Sequence, residues 1–239
     1  MSTLLQLAQD TGGECGVPGM QLGVGPATVV GVTGEQLRIV NWVIGAWKDI
    51  QLERDDWTFH NINLDRSDLP AASGANITTT ASPYGVVASP EILFAEWDIR
   101  SLRFSTPASA LGDEVAPDFF PYEQFRWIYR RGPIPQGTLP GAFTIDRDNT
   151  TILFDCTLGQ LTRIRANYKS IIQTLAVDSD VPLAPAELHD VIKWRAIMKY
   201  AGFEEAGALY QHAQKESDRL FGALIRRCTP MFGWGDALA

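Results

Sequence analysis

"TGEQLRIVNWVIGAWKDIQ", residues 33–51, is the stretch whose reading decides the fold. Leu37, Val40, Ile44, Trp47 and Ile50 recur three or four residues apart, with Val43 beside them, which is the period of a helix with one apolar face. The spacing predicts a helix over roughly Glu35–Glu53, with Thr33 as N-cap and Gln36, three residues on, as its capping-box partner. No side chain in the stretch is suited to catalysis, so its apolar face is there to pack. The glycine- and proline-rich loop before it, "GVPGMQLGVGPATVVGVTG" (16–34), forbids regular structure on that side.

Working outward, a short helix is expected over Thr3–Glu14. From Trp57 the period falls to two: "WTFHNINL" alternates, and "EWDIRSLRFS" does so again with Ile99, Leu102 and Phe104. "PYEQFRWIYRRG" reads as a short helix that Pro121 starts and Gly132 ends. "GAFTIDRDNTTILFD" reads as a hairpin turning at Asp146–Asn149, and "TRIRANYKSIIQTL" as one more strand. After "DSDVPLAP" helices return, one over Pro185–Tyr200 and one over Glu204–Arg227, with Gly202 as the turn between them.

Helices at both ends that carry the same kind of apolar stripe bury it most economically against each other. The expected class is therefore α+β: a helical bundle from the N- and C-terminal helices with an inserted β-rich region. Residues 1–56 supply the first helices and the loop, 57–178 the insertion, 179–227 the helices that complete the bundle, and 228–239 a terminal tail. Trp42 and Trp47 are expected to meet the faces around Trp194 and Leu209, with Phe221 on the same stripe, at about 1.5–3 kcal/mol for each large side chain buried. Contact with another subunit is the alternative use for these residues.

Composition narrows the function. The chain has 239 residues, 45% hydrophobic and 20% charged, with a formal net charge of −8. Residues 54–124 hold eleven acids against four arginines, which places −7 of that charge in one segment. A protein that grips nucleic acid by its phosphates needs a basic face, and the totals offer none. No apolar run approaches the ~20 residues of a membrane helix. "MSTLLQLAQDTGG" lacks the basic and apolar regions of a signal peptide, so cytoplasmic synthesis is the expectation. Cys15, Cys156 and Cys228 form no CxxC pair and read as three reduced thiols.

Sites for chemistry are weakly supported. "GVGPATVVG" lacks the GK[ST] ending of a phosphate loop, and no apolar strand precedes it. His60, His189 and His212 stand one per element, and His189 reads as a helix-surface or interfacial residue. The segment "GDEVAPDFFPYEQF" offers Asp113, Glu114 and Asp118, and paired carboxylates serve glycosidases and metal nucleases. Their mixture with Phe119, Phe120 and Tyr122 suits a docking segment better. Neither a cofactor nor a metal is expected. In the tail "CTPMFGWGDALA", Met231, Phe232 and Trp234 follow a helix-ending proline, where large apolar groups either fold back or insert into a partner.

Taken in order, "ECGVPG…GPATVVGVTGEQLRIVNWVIGAWKDIQ", "WTF", "FAEWDIRSLR", "PYEQFRWIYRRG…PGAFTID" and "LAVDSDVPLAPAELHDVIKWRAIMKYAGFEEAGALYQHAQKESDRL" resemble the phage head–tail adaptor (connector) proteins. The resemblance is faintest over "SDLPAASGANITTTASPYG". It implies a structural protein of the virion neck, without turnover or cofactor. Such a protein would assemble as a dodecameric ring under the portal, extend the DNA channel, and present a surface to tail proteins. Its partners would be portal, tail proteins and further copies of itself, with DNA passing non-specifically and no membrane involved. On that reading Met231, Phe232 and Trp234 dock into the portal. Asp113, Glu114, Asp118, Phe119 and Phe120 face the tail or the channel. A stopper or tail-completion ring is the nearest alternative, followed by a hydrolase using the 113–123 acids and a nucleic-acid-binding regulator.

Overall fold

The computed structural model describes residues 2–17, 19–20, 26–69, 77–78, 94–106, 113–132, 135–137, 139–145, 151–158 and 162–230. The protein is α+β and divides into two compact units. One is helical and takes the described residues up to His60 and from Ile172 onward; the other is Asn61–Ile171.

The helical unit is built from α1 (Leu4–Glu14), α2 (Gly34–Leu52), α4 (Asp190–Phe203) and α5 (Gly207–Cys228). Its core joins Leu4 and Leu7 of α1 to Ile39, Val43, Trp47 and Ile50 of α2, Val191, Ile192 and Ala196 of α4, and Leu220 and Leu224 of α5. The buried side of α2 is Ile39, Val40, Val43, Ala46, Trp47, Ile50 and Gln51, so it is rotated from the expected stripe, and Leu37 stands exposed. Both phases are apolar in sequence, and the neighbouring helices select between them. The predicted capping box is at the wrong helix. Thr33 makes no side-chain cap bond, because Gly34 follows it at φ 63 and breaks the geometry that would aim the hydroxyl at the first turn. Thr3 and Gln6 form that reciprocal pair on α1 instead.

Trp57 is not in a strand. Its indole is fully buried in the helical core, stacks on Phe59 at 5.3 Å, and donates from Nε1 to the Ile50 carbonyl at 3.1 Å. Thr58–His60 is a 3-10 turn, and the first strand starts only at Asn61. His189 is also misread as surface: it is 1% exposed. Its Nε2–H donates to the Ala184 carbonyl (2.9 Å), and Nδ1 accepts from the Ser2 backbone N–H (3.2 Å), which pins the start of α1. Gly202 lies within α4, and the turn to α5 is made by Glu205 at φ 54. The Ala206 N–H closes that turn onto the Ala201 carbonyl, so a glutamate stands where glycine is usual.

Chain returning from the β unit is locked to α2 by side-chain amides. The Gln173 backbone N–H donates to Gln51 Oε1 (2.7 Å), and Gln51 Nε2 donates back to the Gln173 carbonyl (3.0 Å). Gln173 Oε1 accepts from the Trp47 indole N–H (3.1 Å) and the Leu183 N–H (3.0 Å). Next to this lock, Asp178 and Asp180 clasp the N-terminal region. Their backbone carbonyls accept from Leu5 and Leu4, and the Asp178 carboxylate accepts from the Val29 N–H.

The second unit contains β1 (Asn61–Leu69), β2 (Ile77–Thr78), β3 (Phe94–Ser105), β4 (Asp118–Phe119), α3 (Tyr122–Tyr129), β5 (Gln136–Gly137), β6 (Ala142–Ile145), β7 (Thr151–Phe154), β8 (Thr157–Leu158) and β9 (Thr162–Ser170). The long strands form an antiparallel sheet in the order β1-β9-β3; a second sheet runs β2-β7-β6-β4, and β5 pairs with β8. The hairpin expected at 142–154 is β6–β7, pairing Phe143 with Phe154 and Ile145 with Ile152, while its turn lies outside the described residues. Ile99 does not share a face with Leu102 and Phe104. The register shifts between Asp98 and Arg103, which puts Leu102 and Phe104 on the buried side with Trp97, and Ile99 lies inside the irregular stretch and is exposed.

Gln173→Ala removes the acceptor of a buried indole N–H and of a backbone N–H. It is expected to lower stability by about 2–4 kcal/mol, since each orphaned buried group costs about 1–3 kcal/mol. A fall in the urea midpoint without a change in slope would show it, and an unchanged midpoint would mean that the Gln173 side-chain bonds contribute nothing.

Candidate functional site

The surfaces begin with what the two cores leave exposed. In the β unit, "DFFPYEQFRWIYRR" folds as β4, a short link and α3. Strand β4 runs parallel to β6, pairing Asp118 with Ala142 and Phe119 with Phe143. Pro121 sets the entry to α3, and of that helix only Phe125 is fully buried. Phe125 packs on Tyr129 at 5.0 Å, and Phe120 meets Tyr129 edge-on at 5.8 Å. The opposite side of the helix presents Trp127 (62% exposed) and Ile128. The Arg131 guanidinium lies 3.2 Å from the Trp127 ring centroid, and that of Arg130 lies 5.9 Å from the Phe125 ring.

The acids singled out in this region do not converge. Glu114 is half-buried and ion-paired with Arg165 of β9, next to the bridge between Phe104 and Val115. Asp113 and Asp118 are exposed, and Phe119 is partly exposed against Phe143 at 5.4 Å. Among the described residues, no group of three or more His, Cys, Asp or Glu is placed to hold a metal ion.

In the helical unit, Trp47 is fully buried and leans on Phe59 at 5.7 Å. Trp42 is half-buried and meets Tyr200 and Phe203 of α4, at 5.8 and 5.7 Å. Trp194 instead meets His212 of α5 edge-on at 5.2 Å, and Leu209 is half-buried. Phe221 is half-buried between Trp57, edge-on at 6.0 Å, and the Arg195 guanidinium at 4.3 Å. Arg195 also grips both oxygens of Glu53, and Lys199 pairs with Asp49, so the charges lining the shallow groove between α2, α4 and α5 largely answer one another. Phe203 (55% exposed) stands at the end of α4 with the Arg38 guanidinium 4.9 Å from its ring. Met231, Phe232 and Trp234 lie outside the described residues.

The sequence model of the family described as SU10 adaptor protein matches residues 3–230. The chain belongs to that family of phage head–tail adaptors. It is thus a structural protein of the virion, of a kind that associates with phage portal and tail proteins. No curated protein matches it. Among the described residues, no helix is long and apolar enough to cross a membrane.

For an adaptor, the exposed face of α3 is the feature that the helix period alone does not single out. The available signal was charge: Arg126, Arg130 and Arg131 surround Trp127 within six residues of an acidic chain.

Two measurements separate surface from core. Trp127→Ala is expected to change stability by no more than about 0.5 kcal/mol, whereas Trp57→Ala should cost about 3–5 kcal/mol; comparable losses would place Trp127 in a core. The thiols should be inert. Burial pushes Cys15 up to about 12 and Cys156 up to about 11, and raises Cys228 as well. At pH 8 the native protein should resist Ellman's reagent and react at all three cysteines only when unfolded. The folded state holds these protons beyond the usual 9.0, so the stabilisation they carry is lost as pH rises above about 9.

Proposed function

We propose that this adaptor is one subunit of a dodecameric ring that joins the portal to the tail and extends the DNA channel. The observation that carries the reading is the existence of separate exposed apolar surfaces on units whose cores are already closed. The helical unit fills its core from both ends of the chain, yet Leu37, Phe203 and Tyr210 remain exposed. The β unit has its own core around Phe104, Phe143 and Phe154, yet Phe119, Trp127 and Ile128 remain exposed. A head-to-tail ring needs different patches for its two neighbours, and a neck protein needs more for the structures above and below.

Met231, Phe232 and Trp234 dock into the portal in this reading, and the β-rich unit, with Asp113, Glu114, Asp118, Phe119 and Phe120, is directed toward the tail or the channel. Twelve copies at −8 each bring on the order of a hundred negative charges, which lets DNA slide past without adhering.

Mass photometry of assembled portal from the same virus, with and without the chain, tests this. The expected result is a gain of many copies at once, abolished by deleting residues 229–239. A portal that gains nothing would move the chain to a stopper or tail-completion ring. A gain that survives the deletion would remove the portal-docking role from Met231, Phe232 and Trp234.

A further inference from the structure

Arg126, Arg130 and Arg131 form a concentration of positive charge in a chain of net −8. Among the described residues none of the three makes an ion pair, although Arg54, Arg165, Arg195, Arg219 and Arg227 all do. The guanidinium of Arg131 lies over an exposed indole, 3.2 Å from the ring centroid, so charge and apolar surface are presented together. An exposed tryptophan beside arginines is the composition of a protein–protein hot spot. The bases of a closed DNA duplex offer no free face for an indole to stack on, so phosphate alone leaves Trp127 unexplained.

The complementary composition occurs elsewhere on the same chain. At the turn between α4 and α5, Phe203 is exposed and is followed by Glu204 and Glu205, both exposed and, among the described residues, in no ion pair. The turn is closed by the Ala206 N–H to Ala201 carbonyl bond at 2.9 Å, which fixes the direction in which this edge projects.

We propose that the Phe203–Glu204–Glu205 turn of one copy docks on the Arg126, Trp127, Arg130 and Arg131 face of α3 in the next copy. The inference rests on the ring reading and supplies one of its contacts. It pairs the helical unit of one subunit with the β unit of its neighbour, a head-to-tail contact between unlike patches that repeats until the ring closes. Copies of a −8 chain repel in general, and opposed charges at the contact are what overcome this and set the register.

Charge exchange provides the test, with mass gain on assembled portal as the readout. Variant R126E/R130E/R131E alone and variant E204R/E205R alone should each lose the multi-copy gain that the wild type shows. Mixed in equal amounts they should recover it, because each altered patch then meets its complement in an alternating ring. The variant carrying all five substitutions should recover it too, which excludes misfolding as the cause of the losses. Full assembly by the single-patch variants, or no recovery on mixing, overturns the contact while leaving the ring reading intact. A wild type that adds nothing to portal overturns the ring reading and this contact with it. If the arginine variant assembles normally but loses retention on a duplex-DNA column, the arginines belong to phosphate and the contact is wrong.

Discussion

The reciprocal amide pair between Gln51 and Gln173 is the constraint on which the two-unit fold depends. A bundle interrupted by residues 61–171 must hold both ends of the insertion near each other. The chain entropy opposing this is about 4 kcal/mol by loop-closure scaling, plus a constant. Apolar packing is non-directional and does not specify which residue of the returning chain meets α2. The Gln51 side-chain amide does specify it by bonding both main-chain groups of Gln173, and the Gln173 side-chain oxygen accepts from the Trp47 indole N–H. From that point the chain runs through Asp178 and Asp180, which hold α1 and the loop before α2, into the helices that complete the core. A polar residue in the core thereby organises the apolar ones around it.

This lock is also what sequence reading could not reveal. Helical and strand periods marked where the ends of the chain are helical and the middle is β, because those periods reflect one buried face within a single element. Gln51 and Gln173 lie in different elements, and no local pattern announces their pairing. Trp57 misled for a related reason. "WTFHNINL" alternates on both sides of a phase break at His60–Asn61, yet its first aromatics belong to the helical core and only the residues from Asn61 are sheet. A period of two in a short run does not distinguish a strand from a tight turn whose rings stack on a helix. Ile99 failed because it lies in the irregular stretch of β3 between Asp98 and Arg103, where strand alternation does not hold. In each case tertiary contact overrode a local rule.

The candidate surfaces were legible only in part. The acids and aromatics of 113–120 stood out by composition, but composition did not say that Glu114 pairs with Arg165 or that Phe119 leans on Phe143. Trp127, the large apolar side chain most exposed in the β unit among the described residues, was concealed within an ordinary helix pattern. An amphipathic helix is normally read for the face it buries. Here the informative face is the one left outside, visible only after Phe125 has been identified as the residue turned inward.

The same physics bears on how a strongly acidic chain associates with itself. Net charge of one sign disperses free subunits, but at physiological salt it acts only over about 8 Å. Beyond that distance copies hardly sense each other; within it, local patches matter more than the total. For the proposed ring, this means that contacts between copies depend on local patches rather than on the net charge. Exposed rings, and arginines and glutamates that make no ion pair among the described residues, are costly to bury but cheap to leave in water. Their persistence on closed, well-packed units is the feature on which the proposed ring rests.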